Sequence, residues 1–204
     1  MLGDILGYVA GLTGCFLLWT FIIYWLHRIG HISHPWNPLY ELHKAHHKIN
    51  YFRQDASPWP DLGQFFFWLG DWKTSLDVFL VMTVPLLGIT WLWPAFGLPL
   101  LVFHYVYEVF LSEAMLDHNA NIRGFTTRYF AWGNFHLYHH VDQKTNYSLM
   151  TTLWDWVFGS AVMPAREFPD HLIERARARM ITKRPDIEPV PGTHVPEKRA
   201  AHAS

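Results

Sequence analysis

From Ile5 to Leu26 the chain reads ILGYVAGLTGCFLLWTFIIYWL, 22 residues without a charged side chain. As a helix rising about 1.5 Å per residue, this run is about 33 Å long, enough to cross a hydrocarbon layer about 30 Å thick. A second apolar run extends from Val78 to Trp93, and a third from Ala95 to Leu116, interrupted by Glu108 and Glu113. Pro94 lies between them with Trp91, Trp93 and Gly97 close by. That pattern predicts a tight turn between two antiparallel helices. The segment Leu62–Gly70 (LGQFFFWLG) is too short to cross and reads as an aromatic-rich interfacial helix. A soluble bundle also buries apolar helices, but the first run is too long and too uniformly apolar for that reading.

The basic residues orient these elements. All 16 Lys and Arg fall within residues 28–73 or 123–199. With single crossings at 5–26, 74–93 and 95–116, every positive charge lies on one side, which the positive-inside rule makes cytoplasmic. Trp25, Trp36, Trp72, Trp91 and Trp93 fall at the expected helix ends, as interfacial Trp does. The pattern predicts an all-α integral membrane bundle: about three transmembrane helices, an interfacial helix and a cytoplasmic His-rich helical cap. The membrane domain is expected over residues 1–165. Residues 166–204 divide into a short amphipathic helix at Phe168–Met180 and a loose, proline-punctuated charged tail from Ile181.

Composition narrows the chemistry. Charged residues are 16 % of the chain and the formal charge is −1, which argues against disorder and against a nucleic-acid platform. One Cys rules out an internal disulfide and any multi-Cys zinc or iron–sulfur site. The excess lies in histidine, with 14 residues.

Three clusters account for most of these. They are His27-x-x-x-His31, His43-x-x-His46-His47 and His136-x-x-His139-His140. Residues at i, i+3 and i+4 share a helix face, so each cluster can aim two or three imidazoles at one place. Imidazole is a ligand for Fe, Zn, Cu and Ni, and eight rings exceed the roughly four to six that one ion takes. The crossings bring all three clusters, and His118, to the same helix ends. A lone HxxxH arises by chance, and one HxxHH can be a surface or pH-sensing cluster. Two HxxHH boxes and an HxxxH on one membrane face point to metal. His171, His194 and His202 lie in the tail, and His34 precedes Pro35 in a turn. His104 is 14 residues before His118. That is about 21 Å along a continuous helix, so His104 and Glu108 read as polar groups buried in the bundle.

Further motifs accompany the clusters. Tyr24-Trp25-Leu26-His27-Arg28 leads to Leu39-Tyr40 and the first HxxHH, and Asp117-His118-Asn119 follows the third apolar run. The last HxxHH precedes Asn146-Tyr147 and Trp154-Asp155-Trp156-Val157-Phe158-Gly159. Over residues 20–163 this order resembles the fatty acid hydroxylase / sterol desaturase family of membrane di-metal oxygenases. The resemblance implies nine ligands: His27, His31, His43, His46, His47, His118, His136, His139 and His140. Some members carry a tenth, one helical turn before His118; here Ala114 stands there, leaving Glu113, Asp117 or a water for the place. Asp117, Asn146, Tyr147, Trp154 and Asp155 are expected around the ligands. Trp154 and Asp155 would fix ring orientation by taking an imidazole N–H, or form a purely structural turn.

The resemblance further implies two Fe ions, with zinc the alternative in an isolated sample, and O2 as co-substrate. The metals carry the chemistry, and no other side chain is assigned a catalytic role. The expected reaction is hydroxylation or desaturation at a C–H bond of a lipid such as an acyl chain or a sterol or isoprenoid. The chain shows no flavin, haem or iron–sulfur motif, so electrons are expected from a ferredoxin or small haem protein with its reductase. Phe65, Phe66, Phe67 and the Phe103–Tyr107 region are candidate walls for the lipid. A carotenoid hydroxylase-like enzyme is the alternative within enzymes. A non-catalytic haem- or metal-binding membrane protein is the alternative outside them. A transporter would need ionisable residues spread through the spans.

Overall fold

The computed structural model of the protein describes residues 1–47, 60, 62–112, 115–119 and 121–163. Within these residues it is helical, with one isolated bridge between Phe130 and Thr151. Three helices are long and apolar enough to cross a membrane: Leu2–Gly30 (α1), Trp72–Leu92 (α3) and Pro94–Leu111 (α4). The shorter helices are Pro38–His46 (α2), Asn134–Val141 (α5) and Leu153–Val157 (α6). The amphipathic segment and tail expected beyond residue 165 lie outside the described residues, as do Glu113 and Ala114.

α1 runs past both ends of its uncharged core, because nothing in it interrupts the backbone ladder. Its first nine residues are all exposed despite being mostly apolar, so this end of the helix packs against little of the rest of the chain. α3 begins at Asp71, whose carboxylate accepts the Lys73 N–H at 2.8 Å and the Thr74 N–H at 3.1 Å. Such a cap contributes about 1 kcal/mol.

Both α3 and α4 contain π-helical segments, at Phe79–Thr83 and Tyr107–Leu111. The first ends two residues before Pro85. Proline has no N–H to donate, and its ring crowds the carbonyl four residues back, so the helix widens there. The Trp19 indole N–H donates to the Met82 carbonyl in that segment at 2.8 Å. Trp19, Ile23, Met82, Leu86, Ile89, Leu100 and Tyr107 pack into the core that joins the three long helices.

The turn predicted at Pro94 is present: Trp93 leaves helical geometry at φ −137° and Pro94 opens α4. The approach is so close that a Cβ on Gly97 would lie 2.3 Å from the Thr90 Cα, which only glycine avoids. Two elements differ from their sequence reading. α4 stops at Leu111 rather than Leu116, because Ser112 adopts ψ −140° after the π segment. The Leu62–Gly70 segment contains only a 3₁₀ turn, Gln64–Phe66, closed by Phe67 at φ 58°. A run this short, between two glycines, is below the length that sustains an α-helix.

The chain enters and leaves the bundle so that the C-terminal ends of α1 and α4 and the N-terminal end of α3 meet at one end. α2 and α5 lie across that end, and everything polar about the site is assembled there.

Candidate metal centre

Nine imidazoles converge in two groups. His27, His31, His43, His47 and His139 form one, and His46, His118, His136 and His140 form the other. In each group one ring nitrogen per residue lies within 4.8 Å of every other. The groups abut, with the rings of His47 and His140 centred 4.3 Å apart. Among the described residues these are the only such groups of His, Cys, Asp and Glu.

The HxxHH spacing explains the division. At 3.6 residues per turn, positions i and i+4 differ by about 40° around the axis, while i+3 falls about 60° to the other side of i. On α2 the i, i+4 pair His43 and His47 joins the first group, and His46 turns into the second. On α5 the pair His136 and His140 joins the second group, and His139 turns into the first. The two helices thus exchange their i+3 ligands. α1 adds His27 and His31, again i and i+4, and the segment after α4 adds His118.

Hydrogen bonds at the far nitrogens fix what the near ones can do. The Nδ1 of His27 meets the Tyr147 carbonyl at 2.5 Å, and that of His139 meets the Thr145 carbonyl at 2.7 Å. The Nδ1 of His43 meets the Asp77 carboxylate at 2.7 Å. A carbonyl or carboxylate oxygen only accepts, so each of these Nδ1 atoms carries the proton and each Nε2 carries a lone pair. The His31 Nε2 lies 3.3, 3.0 and 2.9 Å from the Nε2 atoms of His27, His43 and His139. His31 can donate one proton at most, so lone pairs face one another across this space. A cation between them turns that repulsion into ligation, and the donor set fits Fe or Zn.

The surroundings keep the rings neutral. Burial, reinforced by the charge of His43 and His46, pushes the His31 pKa down to about 2. Burial and His43 push His46 down to about 3, against the opposing pull of Asp77 and Asp71. His47, His136, His139 and His140 are also held well below the usual histidine range, by burial first and neighbouring imidazoles second.

The residues expected around the ligands take different positions. Asp155 touches no imidazole. Its carboxylate accepts the backbone N–H groups of Tyr147 and Ser148, each at 2.8 Å, and the Ser160 hydroxyl at 2.7 Å. It therefore holds the peptide whose carbonyl meets His27, and burial raises its pKa against these bonds. Asn146 sits at φ 55°, tolerable for Asn, and its side chain ties the Phe135 and Val162 carbonyls together. The Tyr147 ring packs against His27, His31 and His139. Trp154 is remote from the imidazoles and donates to the Thr20 hydroxyl at 3.0 Å. Asp117 accepts the Tyr107 hydroxyl and stands outside both His groups. His34 and His104 belong to neither group; His104 Nε2 pairs with the Thr83 hydroxyl at 2.9 Å.

The sequence reading did not include Asp77, whose carboxylate meets the clustered His43. The signal was available: Asp77 is the sole acid in residues 74–93. The Thr145 and Tyr147 carbonyls could not have been found that way, because every residue carries one.

A cavity of about 50 Å³ opens against both groups. His27, His43, His46, His118 and His136 line it together with apolar Val78, Val81, Met82 and Leu149. Leu69, Asp77, Glu108, Ser112 and Asp117 complete the lining. It has room for a few waters or a short piece of hydrocarbon chain.

Two outcomes follow from this geometry. Asp77→Asn keeps an acceptor beside His43 but removes its charge, and is expected to weaken metal binding by about 10–100-fold in a chelator competition. The metal-free protein should lose thermal stability as pH falls from 6.5 towards 3, because the unfolded chain takes protons that the buried rings refuse. Thermal melts across that window, in the presence of a chelator, measure the slope.

Residues 12–160 match the family model described as fatty acid hydroxylase. No curated protein and no solved structure matches the chain. With the match covering most of its length, and with its membrane-length helices and histidine boxes, the chain belongs to the fatty acid hydroxylase family, which is the sterol desaturase/fatty acid hydroxylase family.

Proposed function

We propose that this protein is a membrane di-iron oxygenase that hydroxylates or desaturates a C–H bond of a lipid, using O2 and two electrons from an external donor. Family membership supports an oxidoreductase acting on a membrane lipid. The observation that carries the finer reading is the convergence of nine imidazoles, three of them locked with a bare Nε2 facing inward.

In this reading His27, His31, His43, His47 and His139 hold one iron, and His46, His118, His136 and His140 hold the other. When bound, the iron pair supplies reductive O2 activation and oxidation of an unactivated C–H bond. The chain's own work is placement. Asp77 and the Thr145 and Tyr147 carbonyls set the tautomer and angle of three rings. Burial keeps the ligands neutral and ready to bind. Val78, Val81, Met82 and Leu149 give a hydrocarbon chain an apolar wall opposite the imidazoles.

The three long helices cross the membrane with the histidine end towards the cytoplasm, the side to which the distribution of Lys and Arg assigns it. A ferredoxin or small haem protein would deliver electrons there. An acyl chain or a sterol- or isoprenoid-like lipid is the substrate class, and a carotenoid fits the same cavity chemistry. A haem carrier would need two imidazoles facing each other across one ring, an arrangement poorly served by groups of five and four.

Iron-loaded protein in lipid vesicles, given a ferredoxin, its reductase and heavy-oxygen O2, should yield an alcohol carrying the heavy atom, or an alkene, by lipid mass spectrometry. His46→Ala and His139→Ala, one from each group, should each lower the metal content and abolish product while leaving the protein in the membrane. Full activity in either variant contradicts the assignment.

A further inference from the structure

The cap beyond α4 does not stand clear of the apolar helices. α6 is fastened to the flank of α1. The Trp154 indole donates to the Thr20 hydroxyl, its ring meets Phe21 at 5.0 Å, and Phe158 stacks on Tyr24 at 5.2 Å. Thr20 lies six residues before Leu26, where the uncharged run ends, and so about 9 Å inside it.

A second segment reaches a similar depth on α4. Trp132 stacks on Tyr107 at 6.5 Å, and Phe130 stacks on Trp132 at 4.3 Å. Tyr107 is four residues, about 6 Å, from the end of α4 at Leu111. The two segments are joined to each other. The Thr152 N–H donates to the Tyr129 carbonyl at 3.1 Å, the Thr152 hydroxyl to the Arg128 carbonyl at 2.6 Å, and the Ala131 N–H to the Met150 carbonyl at 3.2 Å. They make one layer along the sides of two long helices.

The outward side of this layer is apolar. Phe125, Tyr129, Phe130, Leu153, Trp156 and Val157 are all exposed, Phe125 at 78 % and Val157 at 58 %. The exposed cations Arg123 and Arg128 flank the aromatic half. An exposed apolar surface with cations beside it, fastened to helices of membrane length, has the composition of an interfacial anchor.

We propose that this layer, residues 125–132 together with 151–158, is seated in the acyl–headgroup boundary of the leaflet, beside α1 and α4. The inference rests on reading those helices as membrane spans. The occupant of the patch is the lipid surface itself. Two independent contacts set the layer below the end of the apolar run, and the exposed Arg128 beside it suits an anionic lipid phosphate. The same layer carries Asp155, so the leaflet braces the element that positions the Tyr147 carbonyl against His27.

Nitroxide labels on the full chain, in vesicles of phosphatidylcholine and phosphatidylserine, test this. With Cys15→Ala as background, labels go to Val157→Cys and Phe125→Cys, with Leu18→Cys as the membrane standard and Lys144→Cys as the aqueous one. Labels at 157 and 125 should favour collision with O2 over a water-soluble nickel chelate, as at 18, with a ratio several-fold above that at 144. If 157 and 125 instead match 144 while 18 stays O2-favoured, the proposal is overturned and the spans stand. Shielding of 157 and 125 from both reagents would show a protein contact and overturn it equally. If 18 is also water-accessible, the span reading fails and the proposal falls with it. The two label positions are independent, so failure of one variant to fold leaves the other to decide.

Discussion

The site depends on where three protons sit. The Tyr147 and Thr145 carbonyls and the Asp77 carboxylate can only accept, so His27, His139 and His43 must carry hydrogen on Nδ1 and present a lone pair on Nε2. Without those partners the rings could change tautomer or turn, and a set of neutral imidazoles would form hydrogen bonds with one another. With them, lone pairs face one another between the rings, where a cation could take them up as ligands. Much of the apparatus around the site, from Asp155 under the Tyr147 peptide to Asn146 in its left-handed turn, holds those oxygens in place.

The rest of the architecture delivers those groups to one end of a bundle. α1 brings His27 and His31, the N-terminal turns of α3 bring Asp77, and the chain leaving α4 brings His118. The exchange of i+3 histidines between α2 and α5 lets two short helices supply six rings to two groups, each of which could hold an ion. The π segments of α3 and α4 lie beside the same cavity and contribute Val81, Met82 and Glu108 to its lining. Val81 and Met82 of the first segment thus belong both to the core that joins the long helices and to the wall of the cavity.

Hydrophobic runs, Pro94 and the histidine spacing carried much of this in the sequence. The three long helices, the turn between the last two and the gathering of nine histidines were legible, because each rests on a periodicity or a length. The end of α4 was not, since the break at Ser112 comes from a π segment that no residue pattern announces. Nor was the Leu62–Gly70 segment, where an aromatic run suggested more helix than two flanking glycines permit. Asp155 was picked out as a residue near the ligands, but its partners are backbone N–H groups, and only the fold says which peptide it holds. Asp77 does carry a signal in the sequence, since a lone acid in an apolar run points to a buried partner.

In the proposed function each of the two histidine groups binds one ion. X-ray diffraction from iron-loaded crystals at the iron absorption edge reads this directly. That proposal predicts two anomalous peaks, one enclosed by His27, His31, His43, His47 and His139 and one by His46, His118, His136 and His140. A single peak, or peaks away from these rings, would contradict it.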